Sequence, residues 1–203
     1  MIYLSDLLEA DNFTEAVKSS GKKLRDTYKL PDIAQLGLVV ASAEKADAVM
    51  FDAGLPHSFL VKVKTDQWIE NGVEKALSAK LGFAIHEGFE MELIEPLANA
   101  GFYARDVDPQ DRIFVHHFGF MIKDLEQWID RLLQADVPLL VRGKLNLGII
   151  RADFAYFDTR KDCDIISELI SIRILGFHAR LPRRLMALLA RFQVKSRIRA
   201  FSI

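Results

Sequence analysis

Two glutamates stand where carboxylates are rarely put. Glu92 lies inside "FEMELIEPL" (Phe89 to Leu97) and Glu168 inside "CDIISELISI" (Cys163 to Ile172), both apolar, strand-like runs. Burying an ionised carboxylate there is costly unless it is paired, hydrogen-bonded or bound to a metal ion. A third candidate sits in "VHHFGF", Val115 to Phe120, where two adjacent histidines head an apolar run. Alternation along a strand predicts His116 and His117 on opposite faces, so only one of them joins the acids. Acids and an imidazole brought to one apolar centre can ligate a divalent metal or move a proton. Which histidine takes part depends on the elements that position them.

Those elements repeat. Displacing the sequence by 82 residues lays Gln35-Leu36-Gly37-Leu38-Val39-Val40 on His117-Phe118-Gly119-Phe120-Met121-Ile122. Without a gap, Ser42 then meets Asp124, Glu44 meets Glu126, Ala53 meets Ala135 and Pro56 meets Pro138. Ser42 and Asp124 are N-cap residues. Each precedes an apolar stripe at helical spacing, Ala43, Ala46, Met50, Ala53 in one copy and Leu125, Trp128, Leu132, Ala135 in the other. After the prolines, "HSFLVKV" and "LLVRGKL" resume as strands. Each copy therefore reads strand–helix–strand–strand–strand, with residues 65–80 readable as strand plus turn or as a short helix. Gln35 and His117 hold one repeat position. Glu92 shares its strand face with Glu90 and Ile94, and Glu168 shares its face with Ile166 and Ile170. Two such modules paired into one half-barrel would bring Gln35, Glu92, His117 and Glu168 to a common centre, leaving His116 as scaffold.

In "IAQLGLVV", "MELIEPL", "VHHFGFMIKDLEQWIDRL", "FAYFDT" and "DIISELISI", residues 33–175 resemble the vicinal oxygen chelate superfamily. That group includes type I glyoxalases, methylmalonyl-CoA epimerases, extradiol dioxygenases and bleomycin-resistance proteins. The resemblance implies an α+β fold of two βαβββ modules, about 33–97 and 113–175, around a metal-binding cleft. The family's ligands, at the head of each first strand and within each last strand, fall on Gln35, Glu92, His117 and Glu168. Gln35 departs from the more common histidine, although glutamine is known there among type I glyoxalases. Such a mixed, mostly hard donor set suits one six-coordinate divalent ion: Zn, Mn, Co, Ni or Fe.

The resemblance also orders the activities. Extradiol dioxygenases use two histidines and a glutamate, so a single histidine puts an Fe(II) extradiol-type dioxygenase third. The arginine and asparagine of glutathione-using glyoxalases are missing from Gly37-Leu38-Val39 and Leu93-Ile94-Glu95-Pro96, whereas "ELIEPL" is closer to the epimerases. The implied activity is an isomerase, epimerase or lyase that moves a proton beside a carbonyl. Glu168 or Glu92 is the catalytic base, Glu168 being preferred because glyoxalase-like members use the matching residue. Val39, Ile94, Met121, Phe154, Tyr156 and Ile170 are expected to wall the cleft and to fit a small, partly apolar substrate. The main alternative is a metal-free protein that only holds a ligand, with Glu92 and Glu168 as structural acids paired to Arg151 or Arg173.

Half of the 203 residues are hydrophobic and 27% are charged, as in ordinary soluble globular proteins. Residues 176–203 carry seven Lys/Arg and no Asp or Glu, so the rest carries a net −8 against the chain's −1. One cysteine, Cys163, leaves no internal disulfide framework. "MIYLSDLLEADNF" lacks the pattern of a signal peptide, and no apolar run approaches the roughly 18 residues of a membrane span, so a cytoplasmic address is expected. The flanks read as a helical N-terminal extension (1–30, with a break at Ser20-Gly21) and a basic amphipathic helix within 176–203. In that helix, Leu181, Leu185, Leu188, Leu189 and Phe192 share one face. This face is expected to dock on the protein's own body or on a second subunit, in keeping with a homodimer, rather than on a membrane surface. Nucleic acid is excluded for want of a binding motif.

Overall fold

Side-chain caps begin the helices that follow each module's first strand. Ser42 Oγ accepts from the Lys45 N–H at 3.4 Å and Asp124 Oδ1 from the Gln127 N–H at 3.1 Å, while Asn12 does the same for Glu15 at 3.0 Å. The computed structural model describes residues 1–203 except 180, 181, 197 and 203. Three short helices, α1 (Leu4–Leu8), α2 (Phe13–Ser20) and α3 (Lys22–Tyr28), lead into the first module. That module contains β1 (Gln35–Val39), α4 (Ala43–Asp52), β2 (Phe59–Lys64), β3 (Gln67–Glu70), β4 (Val73–Lys75), β5 (Ser78–His86) and β6 (Phe89–Pro96). After α5 (Gly101–Ala104) the second module runs β7 (Val115–Met121), α6 (Leu125–Gln134), β8 (Leu139–Leu147), β9 (Ile150–Phe157), α7 (Arg160–Cys163) and β10 (Ile166–Ile174). The chain continues through β11 (Phe177–His178), α8 (Arg183–Lys195) and β12 (Phe201–Ser202). No helix among the described residues is long and apolar enough to cross a membrane.

One mixed sheet holds the strands in the order β12-β2-β5-β6-β1-β7-β10-β9-β8-β3-β4, with β11 on β10. The modules meet through the antiparallel pair β1–β7, and each continues outward through a parallel neighbour, β6 for β1 and β10 for β7. The uncertain stretch 65–80 forms a hairpin, β3–β4, that leaves the first module and pairs β3 with β8 of the second. The second module's edge is therefore extended by strands borrowed from the first.

Two apolar layers result. The helix-side layer includes Val17, Leu36, Leu38, Met50, Phe118, Phe120 and Leu132. The layer inside the curl includes Val39, Trp68, Ile94, Phe154, Tyr156 and Ile166. The apolar face expected to dock α8 points outward instead: Leu185, Leu188 and Phe192 are exposed, and Leu181 lies outside the described residues. Met186, Ala190 and Gln193 are the buried face. Gln193 decides the orientation, because its amide bonds both backbone groups of Leu60, accepting from N–H at 2.7 Å and donating to C=O at 2.8 Å.

Candidate functional site

Register places the expected donors. Across β1–β7, Gln35 faces Gly119 and Gly37 faces His117. Across the parallel pairs, Gly37 lies beside Glu92 and Gly119 beside Glu168. Each glycine thus sits under a donor from the other module. A Cβ at Gly37 would collide with the His117 ring, and one at Gly119 would lie 2.6 Å from Gln35 Oε1. The glycine pair aligned by the 82-residue displacement clears room for the polar pair.

Three of the donors converge, and Gln35 lines the same cavity as the two glutamates. Ligand atoms of Glu92, His117 and Glu168 lie within 4.8 Å of one another. His117 Nε2 stands 3.0 Å from Glu168 Oε2 and 3.8 Å from Glu92 Oε2. The 3.0 Å approach lacks hydrogen-bond geometry, so both of its atoms are buried without a partner, as is Gln35 Oε1. Buried polar atoms normally find partners, and two orphans facing each other at 3.0 Å mark a place where something else is held. Donors on one ion with bonds of about 2.1 Å stand roughly 3–4 Å apart, so the arrangement fits a divalent metal. Gln35 is anchored by donating its Nε2 to Glu90 Oε1 at 2.7 Å, which leaves its buried Oε1 without a hydrogen-bond partner.

Burial governs the electrostatics. Glu92 titrates well above the ordinary carboxylate range, first because it is desolvated, then because Glu168 and Glu90 are close. Tyr103 and Tyr156 are likewise raised, chiefly by burial and then by Glu168, and both keep their protons. The Tyr103 hydroxyl donates to that of Tyr156 at 2.8 Å, and the Tyr156 ring meets the His117 ring edge-on at 5.0 Å.

His116 corrects the alternation argument. A β-bulge shifts the register of β7 against β1, from Gly37↔His117 to Leu38↔Val115, so His116 has no cross-strand partner there. Its buried ring swings beside His117, Nδ1 to Nδ1 at 3.0 Å, and its Nε2 meets Asp106 Oδ2 at 3.2 Å. Burial first, and then His117, hold its pKa down to about 4 in spite of the Asp106 carboxylate, so the ring is neutral. It packs edge-on against Phe102 and Tyr103.

A cavity of about 110 Å³ extends from these groups through the curl. Phe154, Tyr156 and Ile170 line it. Val39 and Ile94 pack into the same inner layer without reaching the cavity wall, and Met121 belongs to neither layer. Arg151 and Arg173 do not approach the buried glutamates; both turn to Asp153, at 2.9 and 4.0 Å. Sequence reasoning missed Trp68 and Tyr103 as wall residues and Asp106 as a partner. The visible signal was the aromatic pair of "GFYARD" inside a charged linker.

A family model described as "Glyoxalase/Bleomycin resistance protein/Dioxygenase superfamily" matches residues 34–156. No curated protein matches the chain. Among solved structures, a hypothetical protein, BH1468, from Bacillus halodurans C-125 is 17% identical, with a TM-score of 0.46, covering 68% of this chain and 92% of its own. Methylmalonyl-CoA epimerase from Mycobacterium tuberculosis is 18% identical, with a TM-score of 0.45 and 68% and 85% covered. A Streptomyces coelicolor methylmalonyl-CoA epimerase in complex with 2-nitronate-propionyl-CoA is 14% identical, with a TM-score of 0.46 and 70% and 96% covered.

Proposed function

The chain belongs to the glyoxalase/bleomycin resistance protein/dioxygenase superfamily, and from that membership we propose a divalent-metal-dependent isomerase, epimerase or lyase acting on small, partly apolar carbonyl compounds. The observation that carries the reading is the convergence of Glu92, His117 and Glu168, with His117 Nε2 and Glu168 Oε2 buried without partners and Gln35, whose Oε1 is likewise unpartnered, on the same cavity as the two glutamates.

Gln35, Glu92, His117 and Glu168 would hold the ion. When bound, a divalent metal supplies Lewis-acid stabilisation of negative charge growing on a carbonyl oxygen. The protein's own side chains move the proton. Glu168 is the base that takes it from the carbon beside the carbonyl, since its Oε2 has no hydrogen-bond donor to give up first. Glu92 stands on the facing module, with its titration raised by burial and then by Glu168 and Glu90, and from there it would return a proton to the opposite face of the carbon. The protonated hydroxyls of Tyr103 and Tyr156 bound the same space and exclude water from the reacting carbon.

Protein purified without chelators from metal-replete cells is expected to carry close to one divalent ion per chain. That ion should be lost in His117→Ala and in Glu168→Gln, while far-UV circular dichroism is unchanged. Metal-free wild-type protein from such cells would overturn the reading. The largely apolar cavity would then mark a protein that only holds its ligand, which is the second reading.

A further inference from the structure

Nothing in the candidate site accounts for the outward face of α8. We propose that this face binds the surface of an anionic lipid bilayer, so that the protein rests on a membrane without crossing it. The proposal stands apart from the metal reading and uses none of its residues.

The helix runs for 13 residues and lies against β2 and β5. Its orientation is fixed from within: Met186 and Ala190 are buried, and Gln193 holds both backbone groups of Leu60. The larger apolar side chains are thereby turned to solvent, with Leu185 exposed by 42%, Leu188 by 64% and Phe192 by 55%. Spaced three and then four residues apart, they form one row along the helix. Arg184, Arg191 and Lys195, spaced seven and then four apart, form the row beside it and are exposed as well. Residues 176–203 hold no Asp or Glu, and among the described residues no carboxylate pairs with any of these three cations. An exposed apolar row is a cost to a protein in water, and a contiguous one marks a surface that something covers.

The charge beside that row identifies the occupant. At the headgroup boundary of an anionic bilayer, Leu185, Leu188 and Phe192 can enter the acyl region while the long cationic side chains stay among the phosphates. Thirteen residues are too few to cross, since a spanning helix needs about 20, so α8 lies flat. A second copy of the chain fits the face poorly. A two-fold contact sets each patch against itself, so three cations of one copy would face the same three of the other, with no acid on either helix. The residues outside 176–203 carry a net −8, so an anionic surface repels the body and attracts only the basic end, which fixes how the molecule stands on it. Most interfacial helices form on contact with lipid, whereas this one is already formed and anchored through Gln193, so docking requires no change in helix content.

The test sediments the full chain with vesicles of phosphatidylcholine alone and with vesicles holding about one-third phosphatidylserine. Binding to the anionic vesicles is expected to be at least about tenfold tighter, and to be lost at about 0.5 M salt. The triple variant Arg184→Gln, Arg191→Gln, Lys195→Gln should abolish the preference for the anionic vesicles. The double variant Leu188→Ser, Phe192→Ser should weaken binding to them by at least about tenfold. All five positions are exposed, so both variants should keep the far-UV circular dichroism of the wild type. Leu188→Trp, in the middle of the row, should gain quenching by brominated lipid on the anionic vesicles. Equal uptake by the two kinds of vesicle, uptake by neither, or binding unmoved by either multiple variant overturns the proposal. A dimer in light scattering that Leu188→Ser, Phe192→Ser dissolves, with no vesicle binding by the wild type, overturns it in favour of a second copy. None of these outcomes depends on whether the chain binds metal.

Discussion

His116 acts through His117. For His117 Nε2 to face the buried donors as an acceptor or ligand, Nδ1 must carry the ring proton, and among the described residues His116 Nδ1, at 3.0 Å, is placed to receive it. His116 must then donate through Nε2, which it does toward Asp106. The bulge that spoils strict alternation therefore fixes the tautomer of its neighbour, in the way that outer partners orient metal-binding imidazoles. Replacing His116 by Phe keeps the ring volume among Phe102 and Tyr103 but removes the acceptor. We expect zinc affinity to fall by about 10–100-fold, and nitrogen-15 NMR of the metal-free protein to show His117 losing its Nδ1-protonated form. His116→Asn, whose amide oxygen can stand near the Nδ1 position, should restore most of both. Unchanged affinity and tautomer in His116→Phe would show the ring to be packing only.

The element that ties each module together is the helix after its first strand, and in the first module it is held by charge. Lys80 on β5 lies 2.7 Å from Glu44 on α4 and 2.7 Å from Glu95 on β6, and Glu95 also accepts from the Ala43 N–H at 2.9 Å. Burial opposes the charged form of Lys80, but bonds to Glu44 and Glu95 outweigh it and raise the pKa above 10.5. For Glu44 burial is likewise outweighed by the hydrogen bond from Lys80, and its pKa falls below 4.5. A raised lysine stabilises below about pH 10.5 and loses its effect above that, while a lowered glutamate stabilises above about pH 4.5 and loses its effect below. Both contributions are present at pH 7. Lys80→Met should therefore cost roughly 1–3 kcal/mol in urea unfolding at pH 7 and distinctly less at pH 3; an equal cost at both would mean that packing, not charge, holds the helix. Such long-range triads are not legible in a sequence, whereas the caps at Ser42 and Asp124 and the strand periods were, because they depend on neighbours a few residues away. The same boundary divides the site. Gln35, Glu92, His117 and Glu168 followed from repeat position and alternation, while the His116 bulge, the Tyr103–Tyr156 bond and the outward face of α8 depend on which strand lies alongside.

At the scale of the molecule, the two modules are joined twice, and the second join decides how the chain unfolds. Pairing β1 with β7 alone would leave an open half-barrel able to splay at its free edges. The β3–β4 hairpin crosses from the first module to the edge of the second, with Trp68 opposite Gly143 of β8. Trp68 is buried against Phe102, Tyr103, Phe154 and Tyr156, with ring centroids 5.6–6.2 Å away. A side chain of the first module is thus packed against the second module and against the connection between them. A hairpin that served as a mobile lid would melt before the sheet, because lids are drawn from the least stable parts of a fold. This one carries one of the largest buried side chains in the protein, so its opening should require the inner layer to open too. In a Trp128→Phe background, thermal unfolding followed by Trp68 fluorescence and by far-UV circular dichroism is expected to coincide in one transition. Trp68→Ala should lower stability by about 3–5 kcal/mol. An earlier Trp68 transition would instead make the hairpin a lid over the cavity whose wall Trp68 joins.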